Sequence, residues 1–217
     1  MDKTARLINK TYKKINAKNM ASLTNRKRDN ATIKFFLKFL KKTDYILDLA
    51  CGYGRITIPL VKKGFRIEGI DLVSSLIKEA KRKTKKEGID IKFRIGDMRR
   101  LPYKNESFDK VLCLWSSFNH LLTKKDQVKA LKEIYRILRK KGICIIDLPN
   151  FENKWSKEQI KKYGRVVPYM IKDVKVIDYV HDKRTLKNIA KLAGFKKHII
   201  KFENIDHRRR IIFILKK

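Results

Sequence analysis

The sequence predicts an α/β fold in which a mostly parallel β-sheet carries helices on both faces. Short apolar runs, each about the length of one strand, alternate with segments whose apolar residues recur at helical spacing. Glycines stand where several of the predicted helices end. Two final apolar runs, joined by a short polar link, predict a closing hairpin.

The predicted elements follow in order along one domain. We expect an N-terminal helical cap over residues 1–43, a core over 44–150, a lid-like aromatic insertion over 151–180, and a closing helix and hairpin over 181–217. Apolar residues at i, i+3, i+4 and i+7 predict a helix just before the first strand: Ile33, Phe36, Leu37 and Leu40. Strands are predicted at 45–49, 65–70, 89–95, 108–115, 143–148, 195–202 and 210–215. Helices are predicted at 56–63, from Ser74 or Ser75 to just before Gly88, from the Thr123 cap up to Gly142, and at about 183–193.

Length and composition limit the classes of protein to consider. A chain of 217 residues with 43% hydrophobic content is long enough to bury one core. It has no apolar run of membrane-spanning length and no apolar signal segment at its start, so we expect a cytoplasmic protein without a membrane partner. The three cysteines, Cys51, Cys113 and Cys144, are far apart and lack CxxC spacing, which argues against a disulfide framework and against a zinc site.

The formal net charge of +34 is the strongest compositional anomaly. So basic a surface attracts polyanions and predicts at least non-specific nucleic-acid binding. The basic residues are, however, spread over every segment, as an AT-rich genome or a heat-adapted proteome would also produce. Charge alone therefore does not decide whether RNA is a partner. The sequence also gives no signal for an oligomeric state.

The stretch YILDLACGYGR, residues 45–55, predicts a nucleotide-sized cradle. An apolar strand ends in a glycine turn and a helix follows at once. Gly52 and Gly54 let a ligand approach the main chain, and the new helix directs its N–H groups at that space. Asp71 ends the next strand about 20 residues later, where a carboxylate accepts hydrogen bonds from ribose hydroxyls.

These residues resemble motif I of the class I S-adenosylmethionine (SAM)-dependent methyltransferases. Asp48, Gly52 and Gly54 match that motif, while Ala50 stands where its first glycine is commonest. The triplet Gly96-Asp97-Met98 is similar to the family's adenine site, and the likeness extends over about residues 44–150. The resemblance implies a Rossmann-like, seven-stranded, mostly parallel sheet with an antiparallel last strand, and SAM as cofactor. The implied cofactor-binding residues are Asp48, Ala50, Cys51, Gly52, Gly54, Asp71, Leu72, Asp97, Met98, Leu114 and Trp115.

The same resemblance places the methyl acceptor at the loop after the fourth strand, which reads SSFNH. His120 is there the candidate general base, with a structural, hydrogen-bonded histidine as the alternative. Acceptor contacts are expected in that loop, in the N-terminal cap and in the aromatic insertion, although solvated helix faces and core aromatics give the same pattern. These candidates are Tyr12, Arg26, Ser116, Asn119, Trp155 and Tyr163.

Several chemistries do not match the sequence. The loop lacks the Asn/Asp-Pro-Pro-Tyr/Phe element of amino-group base methyltransferases, and no cysteine stands where a covalent pyrimidine mechanism needs one. A nicotinamide dehydrogenase would share the glycine turn but would not explain the Gly96-Asp97-Met98 triplet or the terminal hairpin. We therefore expect methyl transfer to an O, N or C atom of a small molecule. The alternatives are a tRNA or rRNA methyltransferase and a non-catalytic RNA-binding protein on the same fold.

Overall fold

The computed structural model describes residues 2–22, 26–150, 154–171 and 173–217, without the side chains of Arg26 and Trp155. Seven helices and nine strands are assigned within these ranges. No helix among the described residues is both long enough and apolar enough to cross a membrane. The helices are α1 (Lys3–Ser22), α2 (Arg26–Leu37), α3 (Thr57–Lys62), α4 (Ser74–Lys86), α5 (Lys124–Ile137), α6 (Lys154–Tyr163) and α7 (Lys183–Leu192). The strands are β1 (Tyr45–Leu49), β2 (Arg66–Asp71), β3 (Phe93–Ile95), β4 (Phe108–Cys113), β5 (Leu138–Pro149), β6 (Val166–Ile171), β7 (Val174–Tyr179), β8 (Lys197–Ile205) and β9 (Arg208–Lys216).

Seven of these strands form one sheet in the order β3-β2-β1-β4-β5-β9-β8. The pairs from β3 to β5 are parallel, whereas β9 runs antiparallel to both β5 and β8. The predicted α/β fold with an antiparallel last strand is therefore confirmed. Because the strand order reverses between β1 and β4, the carboxyl ends of these two strands flank a crevice of the kind in which α/β folds bind ligands.

Successive residues of the central strands pack on opposite faces of the sheet. Leu47 and Val111 belong to the core under α5 and α7, while Ile46 and Leu112 belong to the core under α2 and α3. A third cluster lies between α4 and β3. These strands thus bury side chains on both faces, which explains why their sequences read as continuous apolar runs.

The structure differs from the expected elements at several points, and β5 for example begins at Leu138 instead of residue 143. Strand β3 covers only Phe93–Ile95, because Ile89 and Ile91 pack beside α4 instead of joining the ladder. Strand β4 ends at Cys113, since Trp115 adopts a left-handed backbone conformation that no strand continues. The insertion contains α6 and a separate antiparallel hairpin, β6–β7, which the sequence pattern did not indicate.

Candidate active site

A cavity of about 270 Å³ opens at the carboxyl ends of the parallel strands. Its floor is formed by the turn after β1 and by the ends of β2 and β4. Helix α1 lies over it and contributes side chains spaced along its length: Ile8, Tyr12, Ile15 and Met20. The N-terminal segment therefore covers the cavity, as the methyltransferase resemblance implied.

The turn after β1 requires left-handed backbone at three alternating residues. Ala50, Gly52 and Gly54 have φ angles of 62°, 57° and 80°. Glycine adopts this conformation freely, whereas the Cβ of Ala50 makes it costly there. A Cβ added to Gly52 would meet no side chain nearer than the Met20 methyl, at 3.9 Å, so the glycine leaves open space beneath α1.

Two buried carboxylates secure this turn. The Asp71 carboxylate accepts hydrogen bonds from the Gly52 and Val73 N–H groups, both at 2.8 Å. Asp48 accepts from the Thr57 hydroxyl at 2.6 Å and so joins β1 to the start of α3. Burial raises the pKa of Asp48 to about 6, although the Thr57 hydrogen bond opposes the shift, and burial likewise raises the pKa of Asp71.

Asp97 lies at the other side of the cavity in an ion-pair cluster. The Arg99 guanidinium contacts Asp97 at 2.6 Å and Asp126 at 2.9 Å, and it also reaches Asp2 at 2.7 Å. The hydrogen bonds that Arg99 donates to these acids, led by Asp97, outweigh burial and raise the pKa of Arg99. Since Asp2 precedes α1, this cluster ties the start of the covering helix to the sheet.

Tyr12, His120 and Asp178 form a connected polar network below α1, in which Tyr12 and His120 line the cavity and Asp178 lies behind the histidine ring. The Tyr12 hydroxyl lies 2.5 Å from His120 Nε2, and His120 Nδ1 lies 2.8 Å from an Asp178 oxygen. The other Asp178 oxygen accepts from the Tyr169 hydroxyl at 3.1 Å. Burial disfavours a charged His120 ring, but the Asp178 charge and contact outweigh burial and raise the pKa of His120.

The loop after β4 is held in an unusual conformation. Trp115 and Ser116 are both left-handed, with φ angles of 56° and 67°. The Asp147 side chain accepts from the Trp115 N–H at 3.1 Å, and the Asp147 carbonyl accepts from the Ser116 N–H at 3.0 Å. Backbone strain of this kind is retained where surrounding contacts impose it, often at functional sites. Here the left-handed conformation places the Trp115 ring at the cavity wall.

Most of the residues that the sequence singled out line this one cavity. Gly54 does not, because its role is in the turn itself. The Ser116 hydroxyl oxygen instead accepts a hydrogen bond from Arg210. Asn119 is buried away from the lining, and Tyr163 is 44% exposed on α6. The side chains of Arg26 and Trp155 lie outside the described residues. The predicted residues that line the cavity are Tyr12, Asp48, Ala50, Cys51, Gly52, Asp71, Leu72, Asp97, Met98, Leu114, Trp115 and His120.

Comparison with known proteins agrees with this architecture. A family model described as "Methyltransferase domain" matches residues 46–142. The demethylmenaquinone methyltransferase of Lactobacillus johnsonii is 32% identical over 185 residues, which are 77% of this chain and 74% of that protein. The chain belongs to the class I SAM-dependent methyltransferases. SAM is the cofactor of this family of enzymes.

Other relatives are matched over a smaller part of their length. A glycine/sarcosine N-methyltransferase of Parasynechococcus marenigrum is 32% identical over 152 residues, which are 69% of this chain and 54% of that protein. A putative methyltransferase of Bacillus subtilis, YqeM, is 39% identical over 103 residues, which are 48% of this chain and 41% of that protein. The chain thus spans about half the length of these two relatives.

A solved structure shows the same fold over the full length of the chain. The PH0226 protein of Pyrococcus horikoshii superposes with a TM-score of 0.74 at 22% identity, covering 100% of this chain and 99% of that one.

The residues at the glycine turn fit SAM. A carboxylate has about four lone-pair sites, so Asp71, with two backbone donors, keeps capacity for the two ribose hydroxyls. The open space at Gly52 would admit the ligand against the main chain. The volume of about 270 Å³ is close to the lower limit, roughly 300 Å³, of small-molecule pockets. Asp97 and Met98 would then lie beside the adenine, as the family resemblance implies.

Sequence reasoning missed several polar residues of this methyltransferase's cavity. Arg208, at the start of β9, lines the cavity, and Asp178, on β7 in the hairpin that the pattern did not predict, contacts His120 from behind it. The sequence contains one signal that could have identified Arg99: it stands two residues after Asp97 in a short polar loop. The remaining missed polar or charged lining residues are Arg28, Tyr53, Arg55 and Ser117.

Proposed function

We propose that this chain transfers the methyl group of SAM to a nitrogen or oxygen atom of a small molecule bound beside Tyr12 and His120. The observation that carries the proposal is that one cavity is lined both by the glycine turn and by Tyr12 and His120, with Asp178 behind the His120 ring. A buried network that can accept a proton, next to the cofactor cradle, suits an acceptor that must lose a proton.

SAM supplies an electrophilic methyl group, so the protein's main task is to align the acceptor. Asp178 is a positioning residue, because a carboxylate beside Nδ1 favours the tautomer with hydrogen on Nδ1. His120 Nε2 is then free to accept the Tyr12 hydroxyl hydrogen. The Tyr12 oxygen in turn accepts a hydrogen bond from the N–H or O–H of the acceptor. The acceptor proton thus has a short path to His120, the candidate general base.

Two features support a small acceptor. Helix α1 covers the cavity and is tied to the sheet through Arg99, which leaves limited room for a folded polymer. Among the relatives, the names glycine/sarcosine N-methyltransferase and demethylmenaquinone methyltransferase both denote small acceptors. A tRNA or rRNA acceptor is favoured by a different observation, the net charge of +34, which would attract any nucleic acid.

Tritiated SAM separates these functions. The protein is incubated with a metabolite extract and with total RNA, at low and near-physiological salt. We expect label in a small product, and a loss of roughly 10²- to 10⁴-fold in His120→Gln. His198→Gln is the control, since that histidine lies on β8 and does not line the cavity. Calorimetry should show unchanged SAM affinity in both variants.

Two outcomes would contradict the proposal. RNA labelling that persists at physiological salt, with no small labelled product, would mean an RNA methyltransferase. SAM binding without label in either fraction would support the non-catalytic RNA-binding alternative.

A further inference from the structure

Four arginines and three carboxylates meet at one side of the cavity, where α2, the end of β5 and the β8–β9 turn come together. Among these seven described side chains, the positive charges outnumber the negative charges by one. The residues are Arg28, Arg55, Arg208 and Arg210, with Asp29, Asp147 and Asp206.

Three of these arginines have carboxylate partners. Arg210 contacts Asp147 at 2.7 Å and Arg28 contacts Asp206 at 3.2 Å. Arg55 contacts Asp29 at 3.4 Å and stacks on the Trp115 ring at 3.6 Å.

Arg208 makes no ion pair with any described residue. Partial burial lowers the pKa of Arg208, and the positive charges of Arg28 and Arg210 lower it further, although the charge of Asp206 opposes them. Its guanidinium therefore lies in a repulsive environment that an anion would relieve.

Trp115 adds a second donor without an acceptor. Its indole Nε1 is buried and has no hydrogen-bond partner among the described residues. Buried N–H groups are nearly always paired, so this one indicates a partner supplied from outside the chain. Trp115, Arg28 and Arg208 line both the main cavity and a small recess that adjoins it.

We propose that Arg208, together with the Trp115 indole N–H, binds a carboxylate of the methyl acceptor. This inference rests on the proposed small-molecule function and names the class of acceptor: an amine or alcohol that carries a carboxylate. A guanidinium fork matches the two oxygens of a carboxylate. One uncompensated positive charge also matches a monoanion better than a phosphate ester, which carries nearly two negative charges.

An exposed arginine at the rim of a cleft is often simply hydrated. Two observations distinguish Arg208 from that case. Arg208 shares a recess with Arg28 and Arg210, whose ion-pair partners are Asp206 and Asp147, and the unpaired Trp115 indole N–H belongs to a residue that lines the same recess.

The adjacent residue provides a matched control. Because side chains alternate along a strand, Arg209 points to the other face of β9, where it lies over the Phe202 ring at 5.5 Å and lines neither cavity. Arg208→Met and Arg209→Met therefore change the net charge equally, on the same strand. Thermal unfolding and SAM calorimetry check that both variants fold and bind the cofactor.

The experiment labels a metabolite extract with tritiated SAM and separates the small products by anion exchange. We expect a retained product whose retention is abolished by carbodiimide amidation and not by phosphatase. Its rate of formation should fall roughly 10- to 100-fold in Arg208→Met, as for loss of a charge-assisted hydrogen-bond pair, and stay near wild type in Arg209→Met.

The outcomes distinguish this inference from the function on which it rests. A labelled small product that is uncharged, that loses its charge to phosphatase, or that forms normally in Arg208→Met would overturn the carboxylate subsite and leave the proposed function intact. Label found only in ribonuclease-sensitive, acid-insoluble material would overturn both.

Discussion

The two ends of the cavity are built in different ways. The cofactor end is formed mainly by one continuous part of the chain, from Asp48 to Met98, and the three acids that line it there, Asp48, Asp71 and Asp97, each lie within two residues of a strand's carboxyl end. The acceptor end combines α1, the loop after β4, the β6–β7 hairpin and the start of β9, which are far apart in sequence. Tyr12 and His120, for example, are 108 positions apart but lie within hydrogen-bonding distance.

This difference shows which part of the protein is constrained by the fold itself. Parallel strands bring their carboxyl ends to one edge, so Asp48 and Asp71 must lie near each other whatever the acceptor is. Nothing comparable requires Tyr12 to meet His120, or Asp178 to meet either. The acceptor end can therefore vary among proteins that share the cofactor end.

The largest effect is expected from Asp71→Ala at the cofactor end. The variant removes the ribose acceptor and leaves the Gly52 and Val73 N–H groups without their partner. Charge-assisted hydrogen bonds contribute roughly 1.5–3 kcal/mol each, so SAM should bind about 100-fold more weakly or worse. Calorimetry measures this change. Asp90→Ala, an exposed acid between α4 and β3, is the control, and an unchanged dissociation constant in Asp71→Ala would remove Asp71 from the cofactor site.

The sequence predicted the cofactor end because its signals are local. A strand, a glycine turn and an acid about 20 residues later can all be read within one window, and the positions of Asp48, Gly52 and Asp71 follow from them. The left-handed conformation of Ala50 was not visible, since alanine rarely adopts it.

The acceptor end could be predicted only in part. His120 and Tyr12 were candidates by residue type, but their partner Asp178 depends on how the β6–β7 hairpin docks, which no local pattern encodes. The same holds for Arg208, whose place in the cavity follows from the pairing of β9 with β5. Trp115 was expected to continue β4, and its turn away from the strand depends on Asp147, 32 residues later.

An intermediate effect is expected from Asp178→Asn at the acceptor end. Asp178 raises the pKa of His120 despite burial, so removing its charge should lower that pKa. A general base must be neutral, and activity rises as pH increases through its pKa. The acid limb of the pH–rate profile should therefore move to lower pH, and the plateau should fall by about tenfold as the ring loses its fixed tautomer.

Nuclear magnetic resonance titration tests this prediction without knowledge of the acceptor. The chain has four histidines, and His120→Gln assigns the relevant signal. Asp173→Asn, an exposed acid at the turn of the same hairpin, should leave the His120 pKa unchanged. If the His120 pKa is the same in Asp178→Asn as in the wild type, Asp178 does not raise the pKa of His120.

The smallest effect is expected from Cys51→Ala, although Cys51 lines the cavity inside the glycine turn. Burial, reinforced by the charges of Asp48 and Asp71, raises the pKa of the Cys51 thiol, so near neutral pH it is neither a thiolate nor a nucleophile. The variant should keep methyl transfer within about threefold of wild type, whereas loss of a covalent nucleophile would abolish it. It should also lose some stability, because the sulfur fills the space over Gly69. Labelled turnover and intact-protein mass spectra test this, with Cys113→Ala, at the end of β4 and outside the cavity lining, as the control. A covalent acceptor adduct trapped on the wild type and absent from Cys51→Ala would contradict the prediction.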